Sequence, residues 1–191
     1  SSDKAIDETF LLLKEKWDNI DFLVHAIAYS DKEELKGKYV NCSRENFLNS
    51  LDISAFSFTR TAKSAFPLMA KDGGSLLTLS YLGAERTTPN YNVMGVAKSA
   101  LESSIRYLAV DLGPKNIRAN AISAGPMRTL AARGLKDFAV MYDGMKDKAP
   151  LKRNITTAEV GDTATFLCSD LASGITGEIL HVDAGYHAVG V

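Results

Sequence analysis

Apolar positions along this chain alternate between two rhythms. Ala5, Ile6, Phe10 and Leu13 recur at helical spacing, which predicts an amphipathic helix over 3–16. Residues 21–28 form a short, nearly continuous apolar run, as expected of a strand covered on both faces. A charged, lysine-rich loop occupies 29–42. Ser43 then opens a long helical pattern through Phe47, Leu48, Leu51, Ile53, Phe56 and Phe58, continuing to Phe66, Leu68 and Met69. The turn Asp72-Gly73-Gly74 leads into a strand at 75–80. A helix over about 92–111 follows, closed by Gly113-Pro114. Strand rhythm returns at 117–123. From 127 to 150 the pattern loosens, with two short helical pieces around 129–135 and 138–146. Thr156 and Glu159 form a capping box that opens a helix reaching 169. A last strand is expected at 177–183, and loop from 184 to the end.

Strands separated by helices of this length imply a parallel sheet with helices on both faces. The expected fold is α/β: a Rossmann-like, doubly wound parallel sheet in three αβα layers, with 1–191 as a single domain. In such sheets ligands bind outside the carboxyl ends of the strands. Residues 26–28, Ser80-Tyr81 and 124–127 all lie at such ends, so they are expected to meet in one crevice.

Composition narrows the partners. The chain has 191 residues, enough for one sizeable core, with 46% apolar and 24% charged residues. A net charge of -1 gives no broad electrostatic reason to bind nucleic acid or an anionic membrane. No apolar run approaches ~18 residues, and the opening stretch is polar and acidic rather than signal-like. A cytoplasmic location is expected. Cys42 and Cys168 are too few and too isolated for a zinc motif and read as buried free thiols. His25, His181 and His187 lack the spaced carboxylate or cysteine partners of a metal site, so they read as structural or surface residues, and no metal is expected.

The candidate chemistry lies in Ser80 to Ser99, SYLGAERTTPNYNVMGVAKS. Tyr91 and Lys98 are seven residues apart, nearly two helical turns, and so share a side of the helix. A phenol and an ammonium beside a strand end can stabilise an oxyanion. Any chain this long contains such a pair by chance, and the spacing alone is weak. Its placement directly after a strand, with Tyr81 at the strand end and Pro89-Asn90 turning into the helix, strengthens it.

SYLGAERTTPNYNVMGVAKSALE resembles the active-site segment of the bacterial NADH-dependent enoyl-acyl carrier protein reductases, in the short-chain dehydrogenase/reductase superfamily. That family spaces tyrosine, nine residues, tyrosine, six residues, lysine, which here falls on Tyr81, Tyr91 and Lys98. Ordinary short-chain dehydrogenases leave three residues between tyrosine and lysine; measured back from Lys98, that place holds Met94. The stretches at 25–37, 120–138 and 166–186 resemble the same family, so the likeness spans the chain.

The resemblance implies hydride transfer from NADH to a trans-2-enoyl thioester of acyl carrier protein, the last step of the fatty-acid elongation cycle. It assigns catalysis to Tyr81, Tyr91 and Lys98. NADH would meet Ile27, Ala28, Lys98, Met127, Thr129, Leu130 and Ala131, and the substrate would meet Ser30, Tyr81, Met94 and Phe138. Residues through Phe138 would form a lid with an apolar inner side. A homotetramer is also implied. Two other readings stay open from the residues: a short-chain oxidoreductase acting on a ketone or alcohol, and a non-catalytic assembly fragment.

One element of a dinucleotide fold is missing. No Gly-rich phosphate turn precedes the first predicted strand. Against the family, the chain begins after the third strand, and a further N-terminal part of roughly sixty residues, about two βα units, is expected. The strand at 21–28 would then be an apolar edge.

Overall fold

A computed structural model describes residues 2–69, 71–129, 132 and 138–189. Helix α1 (Asp3–Lys14) starts where the Ser2 hydroxyl accepts the Ala5 amide at 3.4 Å. Strand β1 (Phe22–His25) leads through α2 (Arg44–Leu51) and α3 (Ser57–Met69) to β2 (Gly74–Ser80). Then come α4 (Val93–Leu112), β3 (Ile117–Ala124), α5 (Phe138–Lys148), α6 (Thr157–Cys168) and β4 (Ile179–Val182). The strands pair in parallel in the order β1-β2-β3-β4.

Alternation of side chains through this sheet builds two cores. Leu76 and Ala121 turn toward α1, α3 and α4, where Phe58, Leu101 and Ile105 are fully buried. Their neighbours Leu77 and Ile122 turn the other way, against Val160 and Leu167 of α6. The result is the expected three-layer arrangement, with every strand pointing its carboxyl end at one rim.

Several elements depart from the expected boundaries. β1 is only four residues long. After His25 the chain leaves the ladder because Ser54 captures Tyr29: its hydroxyl accepts the Tyr29 amide at 2.9 Å and donates to the Tyr29 carbonyl at 3.0 Å. Nor is β1 covered on both faces, since Phe22 and Val24 are about half exposed, as an apolar edge would be. The long helix from Ser43 is broken by a π-helical turn, Asp52–Phe56, which delivers Ser54 to that bond. β4 starts at Ile179 because the buried Asn120 carboxamide, not a ladder partner, accepts the Glu178 amide at 3.0 Å. The capping box at Thr156 and Glu159 forms as read. Cys42 and Cys168 are free, though partly exposed rather than buried. The predicted helical piece around 129–135 lies mostly outside the described residues. Among those described, no helix is long and apolar enough to cross a membrane.

Candidate active site

Three strand ends and the first turns of α4 enclose a cavity of about 410 Å³. Ala28, Tyr29 and Ser30 come from the end of β1, and Leu79, Ser80 and Tyr81 from β2. Ala124, Gly125, Pro126 and Met127 come from β3, while α4 and its approach contribute Tyr91, Met94 and Lys98. Thr129, Phe138 and Met141 close one side. The convergence of three strand ends is the geometry that a parallel sheet dictates.

Local packing explains how Tyr91 is aimed. After β2 the chain makes a 3-10 turn, Leu82–Ala84, and the Tyr91 ring lies on Gly83, where a Cβ would stand 2.5 Å from the ring. Gly95 lets α4 come down on the same turn, since a Cβ there would meet the Gly83 carbonyl oxygen at 2.7 Å. The Tyr81 ring packs edge-on against Tyr91, centroids 4.9 Å apart. Asn92 ends the approach to α4 in a left-handed backbone, φ +39°, and its side-chain amide donates to the Leu35 carbonyl at 3.1 Å. The lysine-rich loop is thereby pinned over the site.

Burial controls the titrating groups. It raises the Tyr91 phenol well above its ordinary value, with the charges of Tyr81 and Glu102 acting in the same direction. Burial likewise raises Tyr81, whose hydroxyl donates to the Met141 sulfur at 3.4 Å. Lys98 is pulled the other way. Desolvation lowers its amine to about 8, partly offset by Glu102. Its Nζ donates to the Leu79 carbonyl at 2.7 Å, which leaves two N–H bonds for other acceptors.

Of the residues singled out from sequence, Tyr81, Tyr91, Lys98, Ala28, Ser30, Met94, Met127, Thr129 and Phe138 all line this one cavity. Ile27 does not; it is about half exposed. Leu130 and Ala131 lie outside the described residues. Sequence reasoning missed Lys32, Leu35 and Met141 on the lining, and Gly83 and Asn92 behind it; Gly95 is among the small residues of the 92–111 helix that suit close approach of another backbone, and it is approached by the Gly83 carbonyl. Gly83 stood in the motif, but only its contacts give it a role. His25 is buried, with its ring nitrogens 3.2 Å from the Thr78 hydroxyl and 2.8 Å from that of Ser57. His181 and His187 stack on each other and face Glu85 and Asp183. No group of metal-ligating side chains occurs among the described residues.

A Rossmann-like sheet with these side chains at its carboxyl rim defines a nicotinamide-dependent oxidoreductase of the short-chain dehydrogenase/reductase class. Within that class the chain belongs to the enoyl-acyl carrier protein reductase family, whose model, described as Enoyl-(Acyl carrier protein) reductase, matches residues 1–187. It is 59% identical to enoyl-[acyl-carrier-protein] reductase [NADH] 1 of Rhizobium meliloti, covering 98% of this chain and 68% of the relative. It is 51% identical to the NADH-dependent enzyme of Bacillus subtilis, covering 72% of it. Among solved structures, the Anaplasma phagocytophilum reductase in complex with NAD superposes with a TM-score of 0.96 at 56% identity, with 72% of that chain covered.

Proposed function

We propose that this chain acts as an NADH-dependent enoyl-acyl carrier protein reductase, in the last step of fatty-acid elongation. The observation that carries the reading is the enclosure of Tyr91 and Lys98, six residues between them, in one cavity with Tyr81 edge-on. The donor set fits a nicotinamide nucleotide. Two N–H bonds on Lys98 that meet no acceptor among the described residues suit a ribose diol, and the Thr129 hydroxyl, which accepts the Ala132 amide at 3.2 Å, keeps its own proton for a phosphate oxygen. Ala28 and Met127 would flank the same ligand. When bound, NADH supplies the hydride.

The protein's own part is electrostatic. As hydride reaches the β-carbon of the enoyl thioester, negative charge develops on the thioester oxygen. The Tyr91 hydroxyl stands ready to donate to that oxygen; a phenol is protonated at neutral pH, and burial pushes Tyr91 further in that direction. The Lys98 ammonium lends positive charge nearby. Tyr81, Met94, Phe138 and Ser30 shape the acyl side. A homotetramer in the cytoplasm fits the family resemblance, and the exposed Tyr107 and Val110 of α4 supply apolar surface for self-association.

The deciding assay follows NADH loss with crotonyl thioester against a panel of ketones. Oxidation with the thioester alone is expected. Turnover with ketones, and none with the thioester, would overturn the reading in favour of an ordinary short-chain dehydrogenase.

A further inference from the structure

Beneath α4 lies a row of polar side chains that the reaction as described does not use. Ser80 pairs with Ser123, and Ser123 with His181, across β2, β3 and β4, so all three project from the same side of the sheet. Glu102 comes down on this row from α4, one turn beyond Lys98. The Ser80 hydroxyl donates a hydrogen bond to its carboxylate. Ser80 and Glu102 are both more than nine-tenths buried. The fully buried Ser123 hydroxyl has no hydrogen-bond partner among the described residues. A carboxylate is an expensive group to bury unless something needs its charge.

We propose that Glu102, acting through Ser80, is a positioning residue of this site that keeps the Lys98 amine protonated and seated on the Leu79 carbonyl. The proposal rests on the role given to Lys98 above. Two links support it. Ser80 directly follows Leu79, so the bond to Glu102 clamps the end of β2 against α4 at the carbonyl that Lys98 uses. The second link is charge: Glu102 opposes the desolvation that drags the Lys98 amine down. Facing Glu102 are Ser80 from β2, Lys98 and Arg106 from α4 itself, Tyr91 from the approach to α4, Glu85 beyond the 3-10 turn, and His181 from β4. Burial and Glu85 push the Glu102 carboxyl up, while the Ser80 bond, Arg106 and His181 pull it back toward the charged form.

The test is the pH dependence of kcat/KM for NADH with crotonyl thioester, in the wild type, Glu102→Gln and Glu102→Asp. Glutamine keeps an acceptor for Ser80 and removes the charge. Its alkaline limb is expected to fall by roughly one pH unit, the size of a typical environmental shift. Aspartate keeps the charge, and its limb is expected to stay with the wild type while the rate drops. Coincident limbs in wild type and glutamine variant, even with a lowered melting temperature, would overturn the proposal, as would an aspartate limb that moves with glutamine. A wild type inert toward the thioester would instead overturn the site reading itself, and the proposal with it.

Discussion

Tyr91 and Lys98 share a cavity, yet burial acts on them in opposite senses. For the phenol it protects the proton, so Tyr91 remains a donor through the whole neutral range. For the amine it threatens the charge, which is held only below about pH 8. The sign of the pH effect follows. Below that value the ammonium is present; above it the charge is lost, and kcat/KM for NADH is expected to fall about tenfold per pH unit in the limit. Lys98→Ala is expected to remove this limb, raise the Kd for NADH and lower turnover; titration of NADH binding and a rate profile check it, and unchanged binding with an unchanged rate would refute the role. Tyr91→Phe removes one oxyanion donor and is expected to lower kcat by ~10²–10³ while NADH affinity holds. A kcat within a factor of two of wild type would move the donor role elsewhere.

At the scale of elements, the site depends on how closely the 3-10 turn after β2 approaches the head of α4. Gly83 and Gly95 make that approach possible, and Asn92 locks it by bonding the loop ahead of α2. Gly83→Ala places a methyl group into the Tyr91 ring. Overpacking of this kind costs typically ~1–3 kcal/mol, and the ring is the softer neighbour. The expected outcome is a lowered Tm together with a fall in kcat larger than any change in NADH Kd. Equal stability and equal kcat would mean that the turn yields without moving Tyr91.

For the whole molecule, the junction of β1, β2 and α3 is held by an uncharged histidine. Burial, with the Lys98 charge adding to it, lowers His25 from 6.5 to about 4. The unfolded chain therefore binds a proton that the folded chain refuses. Its contribution to stability is complete above about pH 6.5 and is lost progressively as pH falls toward 4. Melting temperature measured against pH is expected to decline over that window in the wild type and to decline less in His25→Gln. Parallel curves for the two proteins would show that other groups govern acid sensitivity. The same strand carries the half-exposed Phe22 and Val24, so β1 is both anchored at its carboxyl end and open along its edge.

Periodicity alone was enough for the layers of this protein, because the central strands β2 and β3, buried on both faces, and the helices, buried on one, leave different signatures in a linear chain. It was not enough for the pair at 91 and 98: Tyr91 stands ahead of α4, before the positive-φ Asn92, so its place beside Lys98 comes from its seat on the Gly83 turn and not from helical spacing. Element ends were less legible. The early exit of β1 depends on Ser54 reaching Tyr29, and the delayed start of β4 on the Asn120 side chain, and both bonds join residues distant in sequence. The environment of the site was not legible at all. Whether Lys98 carries charge, whether Gly83 is a spacer or a seat for a ring, and whether Glu102 faces solvent or Ser80 are set by desolvation and close contact. Those quantities exist only once the strands, turns and helices have been brought together.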